Sequence, residues 1–175
     1  MPSYEFEGKR PGVHPEAFVA PTATLVGDVT VEKGASVWYG VVLRADDCQI
    51  IVRAGANVQD NSVVHGTPDS VIEIGPGATV AHSCIVHGAT LGEKALLGNG
   101  STMLDGTSLG AGSLVAAGAL LTPGTEIPAG VMAAGVPAAV KKPIAGTSSE
   151  FWVEANPPYY ADLAQRHLKG IAPVD

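Results

Sequence analysis

Aromatic side chains are scarce in this chain, 5% of its 175 residues, and cysteine occurs only twice, at Cys48 and Cys84. A conventional globular core of this length draws on more Phe and Tyr, so the core must be built in another way. Two cysteines without CxxC spacing give no disulfide framework and fit a reducing compartment, the cytoplasm. No apolar run approaches the ~18 residues that a bilayer span requires, and the N-terminus shows no charged-then-apolar leader. Cations are outnumbered: ten Lys and Arg face 17 Asp and Glu, a net charge of −7. That balance argues against nucleic acid or an anionic membrane as partner.

What the chain has in quantity is small and aliphatic. Apolar residues make up 46%, with 22 Gly and 13 Pro, a composition suited to tight corners. The length suits one domain, 1–175. From Val19 onward aliphatic residues recur every six positions: Val19, Leu25, Val31, Val37 and Leu43, then after a three-residue insertion Val52, Val58 and Val64. A four-residue insertion precedes Ile74, Val80 and Val86, and the series continues from Leu91 to Ile127 after one step shortened to five. Four residues beyond many of these lies a small residue, such as Ala23, Ala35, Ser62, Ala78, Cys84 and Ala119. A helix repeats at 3.6 and a simple strand at 2, so a sustained six means neither. Hexapeptide repeats of this kind predict an all-β solenoid, a parallel β-helix in which three hexads close a triangular coil of about 18 residues. Coils stack at about 4.8 Å. The expected layout is a cap over 1–18, the β-helix over 19–138 and a C-terminal helical segment over 149–170.

The ends are less regular. Tyr4, Phe6 and Val13 are expected to cover the open end of the core, with His14 a surface or capping residue. Ser148 or Ser149 suits the cap of a short helix near Glu150. Asn156-Pro157-Pro158 signals a further helix over 157–168, with Gly170 as its stop. His167 then falls at a solvated C-terminal end favoured by the helix dipole.

Coil arithmetic places the polar residues. Arg44, His65 and His87 each follow an inward aliphatic residue, and they lie 21 and 22 residues apart, one coil plus each insertion. They are predicted to stack in one column. A second column holds Trp38, Gln59 and Ala81, with Asp60 and His82 one position later. His82 therefore belongs to a different edge of the prism, and a symmetric trimer is a way to bring a neighbour's His82 to the His65–His87 pair. Three neutral imidazoles around zinc leave its charge on a bound water, whose pKa falls to about 7. Asp46, Gln59 and Asp60 are expected to line the same groove. Arg44 and Asp46 are spaced to pair, as an interface brace or as a plain surface ion pair. Cys84 occupies an inward slot and reads as core. Cys48 sits in an insertion without a clear role. Trp38 reads as an interface anchor in preference to a cover for the prism wall.

Three blocks, Ser-Val-Trp-Tyr-Gly-Val-Val-Leu-Arg-Ala-Asp (36–46), Asn-Val-Gln-Asp-Asn-Ser-Val-Val-His (57–65) and Val-Ala-His-Ser-Cys-Ile-Val-His-Gly (80–88), resemble the γ-class carbonic anhydrase family of left-handed β-helix proteins. The resemblance runs from about residue 12 to 170. It implies left-handed coiling and a lyase that reversibly hydrates CO₂ to bicarbonate. It also implies a homotrimer with Zn²⁺, or Fe²⁺ or Co²⁺, between subunits, held by His65 and His87 of one and His82 of the next. By the same resemblance Arg44 and Asp46 form an interface ion pair, Gln59 and Asp60 support the site, and Tyr160, beside Tyr159, is the active-site tyrosine. The chain departs from the founding members at Gly66–Ser70, a short loop whose only acid is Asp69, where they carry a long acidic proton-shuttling loop. Asp47 resembles a second acid of that shuttle.

Two other functions share the prism. A hexapeptide-repeat acyltransferase acts on CoA thioesters with a cleft histidine as base; the segment Gly-Val-Pro-Ala (135–138) occurs in both groups, and three histidines at ligand positions favour the metal. The remaining alternative is a metal-binding trimer with a scaffold or thioesterase-like role and little or no carbonic anhydrase activity.

Overall fold

The computed structural model describes residues 2–174. Short strands, most of them two residues long, follow one another from Ser3–Tyr4 to Ala138–Pro143, and one helix, Ser148–Gly170, ends the chain. The strands wind as a left-handed parallel β-helix of about seven turns, the architecture that the six-residue period predicts. Its core consists of three ladders of inward side chains. Leu25, Leu43, Val64, Val86, Met103 and Leu121 pair in sequence along one wall. Val19, Val37, Val58, Val80, Leu97, Val115 and Ala133 pair along the second. Val13, Val31, Val52, Ile74, Leu91, Leu109 and Ile127 form the third. From Leu25 to Ile127 every one of these positions is buried, as are the small residues at Ala23, Ala35, Ser62, Ala78, Cys84, Ala95 and Ala119. Small residues are required there because three walls converge at each corner and leave room for little more than a methyl group.

The corners demand left-handed backbone, and glycine supplies most of it. Gly27 shows why: its φ is +74°, and a Cβ there would lie 2.1 Å from the Ala45 carbonyl oxygen. The pairing register shifts just beyond it, between Gly27 and Val29. This shift absorbs the three-residue insertion on the facing strand Val42–Val52. The second insertion, Gly66–Ser70, lies on the first: the Asp69 amide donates to the Asp47 carbonyl at 2.9 Å.

The lead-in departs from the expected cap. Ser3–Tyr4 and Gly12–Val13 pair in parallel with Thr24–Val31 and begin another coil. Val13 packs against the core. Tyr4 and Phe6 remain exposed, at 55% and 37%. Register explains Tyr4: Ser3 pairs with inward Leu25, so Tyr4 pairs with Val26 and faces out.

The C-terminal segment is one helix where two were expected. Thr147, and not Ser148 or Ser149, is the N-cap, its Oγ1 accepting from the Ser149 amide at 3.2 Å. Pro157 and Pro158 lie inside the helix and do not start it. Burial of Val153 before them and Ala164 after them holds both halves against the solenoid, and that packing overrides the local break signal. Val153 packs with Leu96 and Ile144 near the later coils. At the other end Trp38 is 3% exposed. Its ring meets Phe18, Tyr160 and His167 at centroid distances of 5.0, 5.4 and 5.0 Å. Trp38 therefore serves its own chain as the seat of the helix and not as an interface anchor. His167 is likewise not the freely solvated residue expected: it is half-buried, with its Nδ1 3.0 Å from the Tyr39 hydroxyl beside this aromatic cluster. Among the described residues no helix is long and apolar enough to cross a membrane.

Candidate functional site

Two polar centres stand on different parts of the prism. The first follows from strand register: Val64 pairs with Val86, and His65 with His87 on the next coil. His65 Nδ1 faces His87 Nε2 at 3.2 Å. The outer nitrogens are held by carboxylates, His65 Nε2 by Asp46 at 3.1 Å and His87 Nδ1 by Asp105 at 2.8 Å. Arg44 donates to the other oxygen of Asp46. Partial burial pushes the Asp46 carboxyl up, but the bonds from Arg44 and His65 outweigh it and hold it below the usual range. With both outer nitrogens donating, the facing nitrogens each present a lone pair, and only a proton or a cation relieves that apposition. Asp105 was not foreseen. Leu104, which follows Met103, holds the next place in the His87 column, and Asp105 stands one position later, so the count by coils alone passes over it.

The second centre lies under the C-terminal helix. His82 Nδ1 lies 2.9 Å from Asp60 Oδ2. Its Nε2 lies 3.4 Å from the Tyr160 hydroxyl. The backbone amide of His82 donates to Asn99 Oδ1 at 3.2 Å. Beneath, Gln59 is buried and donates to Asn57 Oδ1 at 2.9 Å, while Asn57 donates to Thr79 Oγ1 at 2.9 Å. That relay fixes the floor. Burial pushes the Tyr160 phenol up, and the charges of Asp60 and Tyr159 add to it, so Tyr160 stays a neutral donor. A cleft of about 460 Å³ opens here, lined by Gln59, His82, Asn99 and Tyr160 and, further along, by Leu96, Leu114, Trp152 and Asn156. Trp152 and Asn156 gave no sign of a place at the cleft in the sequence, because only the docking of the helix brings them there; Asn99 was missed although it stands one coil beyond His82 at the same register position.

The expected residues thus divide. Arg44, Asp46, His65 and His87 gather at the first centre; Gln59, Asp60, His82 and Tyr160 gather at the second. Asp46 and Asp60 do not share a groove within the protomer. Both cysteines are buried and free. Burial raises the Cys84 thiol to about 11, in keeping with its core position. Cys48 is buried beneath the first insertion, its Sγ 3.7 Å from the Arg44 carbonyl oxygen. Asp47 is exposed.

No family model matches the chain. The carnitine operon protein CaiE of Citrobacter koseri is 42% identical over 169 residues, 95% of this chain and 84% of that protein. Gamma carbonic anhydrase 2, mitochondrial, of Arabidopsis thaliana is 44% identical over 103 residues, 55% of this chain. The match spans 37% of the plant protein, little more than a third of its length. Among solved structures, a hexapeptide transferase family protein from Anaplasma phagocytophilum has a TM-score of 0.89 at 38% identity, covering 94% of this chain and 96% of that one. A putative acetyltransferase from Bacillus cereus has the same TM-score at 32% identity, covering 94% and 95%. The chain belongs to the hexapeptide transferase family of left-handed β-helix proteins.

These findings overturn the expectation of a carbonate-forming lyase working through zinc. The solved neighbours that match over nearly the full length of both chains are described as transferases. Among the described residues, moreover, no three His, Cys, Asp or Glu side chains converge to hold an ion. Within the protomer His82 stands apart from the His65–His87 pair, its Nδ1 2.9 Å from Asp60 and its Nε2 3.4 Å from the Tyr160 hydroxyl.

Proposed function

We propose that this protein transfers an acyl group from a CoA thioester to a hydroxyl or amine, with His82 as general base. The observation that supports this reading is the Asp60–His82 dyad at the cleft. Asp60 Oδ2 lies 2.9 Å from Nδ1, which favours the hydrogen on that nitrogen and leaves Nε2, 3.4 Å from the Tyr160 hydroxyl at the cleft edge, as the basic nitrogen once an acceptor displaces that hydroxyl. The acceptor heteroatom attacks the thioester carbonyl carbon and passes its proton to Nε2. The C–S bond then breaks, and the imidazolium returns that proton to the departing thiolate. Asp60 stabilises the imidazolium between the two transfers, as the carboxylate does in other base dyads. The transferase descriptions of the full-length neighbours point the same way. Thiol release from acyl-CoA in the presence of amine and hydroxyl acceptors tests the reading. A general base contributes about 10²–10⁴ in rate, so His82→Ala must lose at least two orders of magnitude; a variant with the wild-type rate refutes the assignment.

A second reading rests on the first centre. In it the protein is a metal-binding homotrimer, with His65 and His87 ligating a divalent cation and His82 of a neighbouring copy completing the site. The apposed nitrogens of His65 and His87, each backed by a carboxylate, fit two ligands of one ion, since ligating histidines commonly donate their other N–H to a carboxylate. Bound there, a cation would supply Lewis acidity. Arg44, through Asp46, would hold the His65 ring in place. Titration of metal-stripped protein with divalent cations, followed by calorimetry, and native mass measurement test this. Loss of binding in both His65→Ala and His87→Ala supports it; no binding by wild-type protein rejects it.

A further inference from the structure

Within the acyl-transfer reading, on which this inference rests, we propose that the cleft beyond His82 is the acyl subsite and that it selects an uncharged, apolar acyl group longer than acetyl.

The slot has a simple origin in the repeat. Trp38, Gln59, Ala81, Gly98 and Ala116 each follow an inward residue of the second ladder, so they stack on successive coils. Along this column the side chains shrink from indole to amide to methyl to hydrogen and stay small at Ala116. Where they are large, Trp38 seats the helix; where they are small, space opens between the wall and the helix. The opposite side is set by Trp152, Asn156 and Tyr160, spaced at i, i+4 and i+8 on one helical face. Tyr160 stands at His82. Trp152 stands two turns away, about 12 Å along the axis, beside Leu96 and Leu114. That distance leaves room for an acyl chain of several carbons.

The lining chemistry names the occupant. The walls include no Lys, Arg, Asp or Glu; apart from His82, every group is apolar or a neutral amide, hydroxyl or indole. A phosphate or carboxylate placed there would lose water without a counter-charge. A sugar would leave hydroxyls against Leu96 and Leu114. An alkyl or aryl acyl chain satisfies the slot, with its carbonyl at the polar end and its tail under Trp152.

The test compares kcat/KM for acetyl-, butyryl-, hexanoyl- and succinyl-CoA by thiol release. Each added methylene buried in the slot raises kcat/KM by about fourfold, so hexanoyl-CoA leads the series and succinyl-CoA falls below butyryl-CoA of equal carbon count. Ala116→Leu fills the slot without touching the dyad. It lowers the ratio of the hexanoyl to the acetyl value at least tenfold. A flat or falling series, a preference for succinyl-CoA, or an equal loss on all four substrates in Ala116→Leu overturns the proposal. If wild-type protein turns over none of them, the acyl-transfer reading falls, and the slot is judged by quenching of Trp152 fluorescence with hexanamide and succinamate, using Trp152→Phe as control. Saturable binding of hexanamide alone, lost in Ala116→Leu, upholds the slot; no binding overturns it.

Discussion

Replacing Asp60 by Asn tests the dyad with the least disturbance of shape. The carboxylate lies 2.9 Å from His82 Nδ1, and the two side chains are 33% and 46% exposed. An amide occupies the same volume but brings neither the negative charge nor a guarantee that the Nδ1 tautomer persists. Hydrogen bonds to a charged group are worth about 1.5–3 kcal/mol against about 0.5–1.5 kcal/mol for neutral ones. The imidazolium formed at each proton transfer therefore loses roughly 1–1.5 kcal/mol, and partial solvent screening at these exposures keeps the value at the lower end. That is roughly fivefold in rate. If the amide turns its NH₂ toward Nδ1, the ring must present the hydrogen on Nε2 instead, and the base is lost in that fraction. The expected outcome is a fall of about ten- to a hundredfold in kcat, with KM within twofold, because the acyl and acceptor contacts are untouched. The assay is steady-state thiol release under saturating acceptor. An unchanged kcat, or a loss confined to KM, refutes the assignment of His82 as a base oriented by Asp60.

Three further outcomes follow from the fold. Leu97 is fully buried between Val80 and Val115, so Leu97→Ala removes a core side chain from a wall that cannot collapse, at a cost of about 2–5 kcal/mol. Calorimetry should show Tm lowered by roughly 5–15 °C, and a fall below 2 °C contradicts the rigid ladder. Arg53 joins Glu32 at 2.8 Å to Glu73 at 2.9 and 3.1 Å across three coils, and its bond holds the Glu73 carboxyl below its ordinary range against opposing burial. A carboxyl whose folded value is depressed contributes stability above its unfolded value and loses it as pH falls through the folded one. The stability difference between wild type and Glu73→Gln should thus be present at neutral pH, shrink as pH falls below the ordinary glutamate range and vanish only below the depressed folded value, and a difference that stays constant or grows on acidification sinks the assignment. Trp38→Ala removes the seat of the helix, so amide exchange should quicken across 148–170 while the central strands stay protected; unchanged exchange in the helix shows that the cage does not hold it.

The solenoid was readable because its determinant is local and periodic. Leu25, Val37, Leu43, Val58 and Val86 face inward for no reason beyond their place in a six-residue repeat. The same counting put His65 against His87, since residues one coil apart must be neighbours. The C-terminal helical segment was expected over 149–170, but neither its continuity nor its seat was foretold. Asn156-Pro157-Pro158 is a sound local start signal, yet Val153 and Ala164 pack on either side of it. The role of Trp38 depended on Tyr160 and His167, more than 120 residues away. No local count relates a repeat position to a helix that folds back across it.

That gap also explains why the motif blocks misdirected the chemistry. An imidazole held by a carboxylate is what a metal ligand needs and equally what a general base needs; at the level of residue types the two are the same pattern. What separates them is what the free nitrogen faces. At His65 it faces another imidazole at 3.2 Å, a gap with room for a proton or an ion and none for a substrate carbonyl. At His82 it faces a cleft of about 460 Å³ with a neutral phenol at its edge and apolar walls beyond. Carboxylates back all three rings, but of the three it is His82 that lines this cleft, the setting a base acting on a substrate needs.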